Sequence, residues 1–153
     1  MTLQSADTLI YKDTTYYIRA EILSSYLEKV ELPYPLVAPN TACWRGYAAS
    51  YVVQNDKLFL TGWRGWIRDF MQVGMEYLFP GESFVFADWF SGHIGLKDLG
   101  EVIGDDGYTE IYEGRLMLQF ENGILIKEYE FWYTPKEIKK IQKETIERNK
   151  LPF

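Results

Sequence analysis

The 153-residue chain is 47% hydrophobic and 17% aromatic, which excludes an intrinsically disordered polymer and fits one domain that buries roughly two-thirds of its unfolded surface. Sixteen Lys and Arg against 22 Asp and Glu leave a formal charge of −6, which argues against sequence-independent binding to nucleic-acid phosphates. Cys43 is the single cysteine, so no intramolecular disulfide can form; no apolar run approaches the ~18 residues of a membrane span, and a reducing, cytoplasmic setting is expected.

In chain order, Thr8 to Tyr11 and Thr15 to Ile18 are short β-prone runs with a polar turn at Lys12-Asp13-Thr14. Ile22, Leu23, Tyr26, Leu27 and Val30 recur at helical spacing and predict a short amphipathic helix over 21–30, stopped by Pro33 and Pro35. An extended loop then leads to Thr41. From Gly46 to Val53 and from Lys57 to Leu60 the residues are β-branched, aromatic or small, and Asn55-Asp56 between them suits a tight turn, so this hairpin reads as the centre of the fold. Residues 62–80 match neither period cleanly and read as helix or mixed structure. Ser83 to Phe90 returns to a strand pattern, and His93 to Leu96 reads as a brief strand.

Asp98 to Glu113 carries Asp98, Glu101, Asp105, Asp106, Glu110 and Glu113 with no base, and reads as an acidic, loop-rich surface. Arg115 to Glu121 and Ile124 to Trp132 flank Asn122-Gly123, the strongest hairpin signal in the chain. Thr134-Pro135-Lys136-Glu137 combines a Thr cap, proline at the first helical position and glutamate three residues after the cap, which starts a helix running to about Asn149. Ile138, Ile141 and Ile146 are expected to dock it. These elements predict a single α+β domain: a mainly antiparallel, bent sheet or barrel-like sandwich with a short N-terminal helix and a C-terminal helix.

Chemistry is sparse. His93 is the only histidine, no phosphate-binding glycine fingerprint occurs, and the acidic run lacks the ligand spacing of a calcium loop, so no metal or cofactor is called for. Cys43 beside Trp44 reads as a buried thiol rather than a nucleophile. Arg45, between Trp44 and Gly46-Tyr47, and Asp88, next to Trp89, are charges set among rings. An Arg45–Asp88 ion pair is the leading reading, and an aromatic cleft using Asp88 and Glu113 as paired carboxylates is the alternative.

The segments Thr41-Ala-Cys-Trp-Arg-Gly-Tyr47, Leu78-Phe-Pro-Gly81, Ala87-Asp-Trp-Phe-Ser-Gly92 and Gly107-Tyr108 followed by Ile111-Tyr-Glu113 resemble a family of small uncharacterised bacterial cytosolic proteins sharing these blocks in this order. The resemblance spans about residues 26–123 and implies no catalytic role. Asp105-Asp106 before Gly107 departs from its pattern.

Two functions follow. The body before Pro135 holds ten basic and nineteen acidic residues, a balance of −9. That suits an interaction protein, of immunity or antitoxin type, that meets a basic macromolecular partner through Asp105, Asp106, Glu110, Glu113 and their neighbours. The alternative is a small-molecule binder or hydrolase with a cleft lined by Trp44, Tyr47, Trp89 and Tyr108, where Arg45 would hold a polar ligand.

Overall fold

The computed structural model describes residues 3–150. Strand β1 (Asp7–Tyr11) alternates strictly, burying Asp7, Leu9 and Tyr11, and returns as β2 (Thr14–Ile18). The turn between them works because Lys12 and Asp13 both accept positive φ, 48° and 64°. The chain then crosses over and lays β3 (Tyr47–Gln54) parallel to β1, on the side away from β2. β4 (Lys57–Ile67) pairs antiparallel with β3 across Asn55 and Asp56, at φ 52° and 58°.

Beyond β4 come a 3-10 turn (Arg68–Phe70), β5 (Met71–Val73), a one-turn helix at Met75–Leu78 and a two-residue strand β6 (Val85–Phe86). Two long strands follow, β7 (Gly92–Asp105) and β8 (Glu110–Glu121), then β9 (Ile124–Trp132) and a C-terminal helix (Pro135–Asn149). All strands form one mixed sheet in the order β2-β1-β3-β4-β9-β8-β7, with β5 and β6 added to β4; every pair except β1–β3 is antiparallel. The sheet rolls until its edge strands β2 and β7 approach without pairing, so it is bent and open, not a closed barrel. The expected α+β class with a C-terminal helix is what forms.

The core fills the inside of the roll. Leu9, Ile18, Leu58, Leu60, Ile94 and Leu118 are almost wholly removed from water, each contributing about 1.5–3 kcal/mol of transfer free energy. Ile22 and Leu23 plug one end, and their burial explains why the helix expected over 21–30 shrinks to one turn, Ser24–Leu27. The Trp89 indole N–H donates to the Ile22 carbonyl at 2.8 Å, so this stretch is drawn into the core with its backbone bonded outside any helix.

Residues 62–67 continue β4 as strand rather than helix. The buried positions run Leu58, Leu60 and then Trp63, Gly65, Ile67, a change of phase at a bulge where Thr61 has no partner between the Tyr51–Leu60 and Ser50–Gly62 pairs. One extra residue shifts the core-facing positions from even to odd, which is why no single period runs through the sequence here. The run Ser83 to Phe90 reduces to β6, because the chain leaves the sheet once the Ala87 N–H has bonded the Leu58 carbonyl at 2.8 Å.

The C-terminal helix starts where its residues specify. The Thr134 hydroxyl accepts from the Glu137 N–H at 3.2 Å, and the Glu137 carboxylate accepts from the Thr134 N–H at 3.0 Å. The bond from the Thr134 N–H, and after it the Thr134 side chain, hold the Glu137 pKa below its ordinary value. Thr134→Ala is expected to cost about 1 kcal/mol; urea unfolding followed by far-UV circular dichroism checks this, and an unchanged midpoint would contradict the cap. The helix docks through half-buried Ile138, Ile141, Thr145 and Arg148, whereas Ile146 is exposed and does not join them.

Candidate functional site

Arg45 lies at the centre of a polar knot, but its partner is not Asp88. Its guanidinium Nη2 meets the Asp7 carboxylate, Nη1 lies 3.5 Å from Glu21, and Nε donates to the Tyr47 carbonyl at 3.0 Å. The guanidinium carbon Cζ sits 4.1 Å from the centre of the Tyr47 ring. Asp7 also accepts from the Ala49 N–H at 2.9 Å. The knot ties the start of β1, the segment after β2 and the entrance to β3.

Asp7 is an acid at an inward position, only 2% exposed. Burial raises its pKa, outweighing the opposing pull of Arg45 and the Ala49 N–H. Burial also pushes the Tyr51 hydroxyl well above its ordinary range, and the nearby Asp7 carboxylate adds to that. The Tyr47 hydroxyl is raised in the same way, by burial first. With Arg45 bonded to Asp7 and to the Tyr47 carbonyl, the knot reads as a staple. Arg45 also lines an adjoining cleft of about 230 Å³ with Gln4, Arg19, Glu21 and exposed Trp44, its Nε and Nη2 already bonded within the chain.

Asp88 is exposed and forms no ion pair among the described residues. Trp89 is structural: besides its bond to Ile22, its ring packs on Tyr26 at 4.8 Å and Phe79 at 5.9 Å. The paired-carboxylate arrangement does not form. Asp88 follows Ala87, whose carbonyl lies against Gly123 at the far end of β8, while Glu113 lies near the start of that strand. Eight residues of strand between Glu113 and Glu121 amount to about 27 Å, far beyond the about 5–9.5 Å that glycoside hydrolysis needs. Cys43 is buried and donates its thiol to the Tyr47 carbonyl at 3.3 Å, while exposed His93 pairs with the Tyr129 hydroxyl at 2.7 Å. The two do not meet. Among the described residues no three His, Cys, Asp or Glu side chains converge as metal ligands.

The acidic segment is not loop-rich. Asp98 and Asp105 belong to β7, Glu110 and Glu113 to β8, and only residues 106–109 form the tip of a long hairpin. Glycines within these strands mark places where side chains lie across the sheet: an added Cβ at Gly95 would fall 2.4 Å from Arg115, and at Gly114 2.6 Å from the Trp132 ring. The tip is built by its own acids. The Asp106 carboxylate accepts from the N–H groups of Thr109 and Tyr108, both at 2.8 Å, which lowers its pKa, Thr109 first. Asp105 accepts from the Gly107 N–H at 2.9 Å and pairs with Arg148 at 3.0 Å.

Asp98 pairs with Arg115 at 3.6 Å, Glu113 accepts from the Glu101 N–H at 2.7 Å, and Glu110 accepts from the Tyr112 hydroxyl at 3.2 Å. Glu101, Asp106 and Glu110 are exposed and have no cationic partner among the described residues. From Lys97 to Glu113 no residue is buried, and Tyr108 at the tip is 60% exposed. Arg19, which sequence reasoning missed, faces this arm across a groove of about 410 Å³ that also holds Tyr17, Asp98, Glu110, Tyr112 and Arg115. Asp7 and Glu21 were missed as well. Asp7 could have been found by extending the alternation of Leu9 and Tyr11 one step back.

No protein-family model matches the chain, and neither a curated protein nor a solved structure gives a match. Among the described residues no helix is long and apolar enough to cross a membrane.

Proposed function

We propose that this chain is an interaction protein, of immunity or antitoxin type, that captures a basic macromolecular partner through the acidic β7–β8 arm in the cytoplasm. One observation carries the reading: the arm from Lys97 to Glu113 contains no buried residue yet projects Glu101, Asp106 and Glu110 without counter-cations, beside exposed Tyr108 and Val102. The C-terminal helix half-buries one face of this hairpin at Gly104 and Asp105, while the three carboxylates stay exposed. Unpaired carboxylates raise the encounter rate with a cationic surface, and exposed aromatic and aliphatic side chains then supply desolvated contact. The separation of Asp88 from Glu113 and the engagement of Arg45 by Asp7 weigh against the hydrolase alternative. The single buried thiol, Cys43, is in keeping with a reducing compartment.

The test starts with a partner recovered from lysate of the source cell at low salt and purified. The Glu101→Gln, Asp106→Asn, Glu110→Gln triple variant keeps an acceptor at Asp106 for the tip bonds, so it should fold normally. Its association rate should fall about tenfold at low ionic strength, and the difference should shrink as salt rises. An unchanged rate at low salt would overturn the proposal, as would turnover of a small substrate that is lost on Asp88→Asn.

A further inference from the structure

The C-terminal helix covers one face of the arm, and the other, which runs on from the core side chains Leu116, Leu118 and Phe120, is exposed at Val102 and Trp132. Gly104 and Ile111 pair across β7 and β8, and a Cβ at Gly104 would fall 2.4 Å from Thr145 and 2.9 Å from Ile141, so the C-terminal helix lies on the Ile111 side. Neighbouring residues of a strand point to opposite faces, which sends Tyr112, Gly114 and Leu116 to the other side. Register extends that open face: Leu99, Gly114 and Trp132 stand opposite one another across β7, β8 and β9, with Val102 opposite Tyr112 and Glu130 opposite Leu116. Val102 and Trp132 are each 47% exposed there. Glu110 and Glu130 share the face with Lys97, which stands opposite Leu116, so carboxylates outnumber the single cation on its rim.

The C-terminal helix has a complementary outer side. At 100° per residue, Lys136, Lys139, Lys143, Ile146 and Lys150 fall within about 80° of one another, opposite the docked residues Ile138, Ile141, Thr145 and Arg148. All five are exposed, so one apolar side chain is set among four ammonium groups. The chain thus carries both an acidic apolar face and a basic stripe with a matching apolar centre. Its surface points the same way: 9729 Å² is exposed, against about 8,000 Å² for a compact monomer of 18.0 kDa. The surplus is about what two standard interfaces of about 800 Å² per partner would cover.

We propose that the open face of the arm is covered by the outer, lysine-rich side of the C-terminal helix of a second copy of this chain, with Ile146 seated against Val102 and Trp132. Helix and open face lie on opposite sides of one arm, so the contact is heterologous: each copy donates at one side and accepts at the other, giving chains or rings rather than a two-fold dimer.

Sedimentation velocity of the purified chain over a wide concentration range tests this. Wild type should form species beyond the dimer that dissociate in high salt, and Ile146→Glu and Trp132→Glu should each be monomeric. Mixing the two variants should restore a 1:1 dimer and nothing larger, because one retains an intact open face and the other an intact helix. Val102→Glu stands in for Trp132→Glu if that variant loses its circular-dichroism signature. Wild type that stays monomeric at every concentration overturns the proposal and leaves the face to a foreign partner. Wild-type assembly with no dimer in the mixture also overturns it, because the helix would not be what covers the face.

Discussion

Asp7→Ala should destabilise the fold by about 3–5 kcal/mol, because it strands a buried guanidinium with only partial compensation from Glu21. For a domain whose whole stability is about 5–15 kcal/mol, urea unfolding should register this as a large drop in midpoint with little change in slope. The Asp7 side chain is 1% exposed and that of Arg45 22%, so solvent does little to screen the loss. Asp7→Asn keeps the acceptor for the Ala49 N–H and should be milder. It also exposes the pH dependence. The folded pKa of Asp7 lies above the ordinary 3.8, so between those two values the folded chain binds the proton more tightly than the unfolded chain. Stability from this group therefore rises as pH falls through the raised pKa and is complete below 3.8. Relative to Asp7→Asn, wild type should gain stability as pH drops from neutral toward that value. A relative loss would mean that attraction to Arg45 outweighs burial.

Gly46→Ala should cost about 2–3 kcal/mol, as left-handed backbone strain adds to a collision with backbone that cannot yield. Gly46 has φ +82°, and an added Cβ would fall 2.7 Å from the Val37 carbonyl oxygen and 3.0 Å from the Val37 nitrogen. Val37 is held there by its N–H bond to Trp66 at 2.8 Å, and Trp66 in turn donates to Gly46 at 2.9 Å. Gly81 separates the two effects, since it has φ +78° with nothing within 4 Å of an added Cβ. Gly81→Ala should cost about 1 kcal/mol from strain alone. Equal losses at the two positions, measured by denaturant titration, would remove the collision from the account.

What could be read from the residues was what neighbours along the chain decide. Asn55-Asp56, Asn122-Gly123 and Thr134-Pro135 each contain the conformational preference that makes their turn or cap, so those boundaries fell where expected. The bulge at Thr61 could not be read, because an unpaired residue is defined by the strand opposite and erases the period that would have announced the second half of β4. The length of β7 and β8 was hidden for a related reason. Gly100 and Gly104 read as loop residues, yet they are strand positions kept bare for Glu113, Trp132 and the C-terminal helix. Arg45 was singled out correctly as a charge needing a partner, but flanking tryptophans carry no information about which acid is near. The answer, Asp7, lay 38 residues away on a parallel neighbour of β3. Among the candidate binding residues, Asp106 and Glu110 stand open on the arm, whereas Trp89, Tyr47 and Arg45 hold the fold together.

Amide hydrogen exchange of the wild-type chain with and without its purified basic partner tests the interaction reading most directly. The account predicts slowed exchange over residues 97–113, greatest at the tip between Asp105 and Glu110, with the Trp44–Tyr47 segment unchanged. Protection confined to the cleft at Trp44, or to the turn at Asp88, with none on the β7–β8 arm, would contradict it.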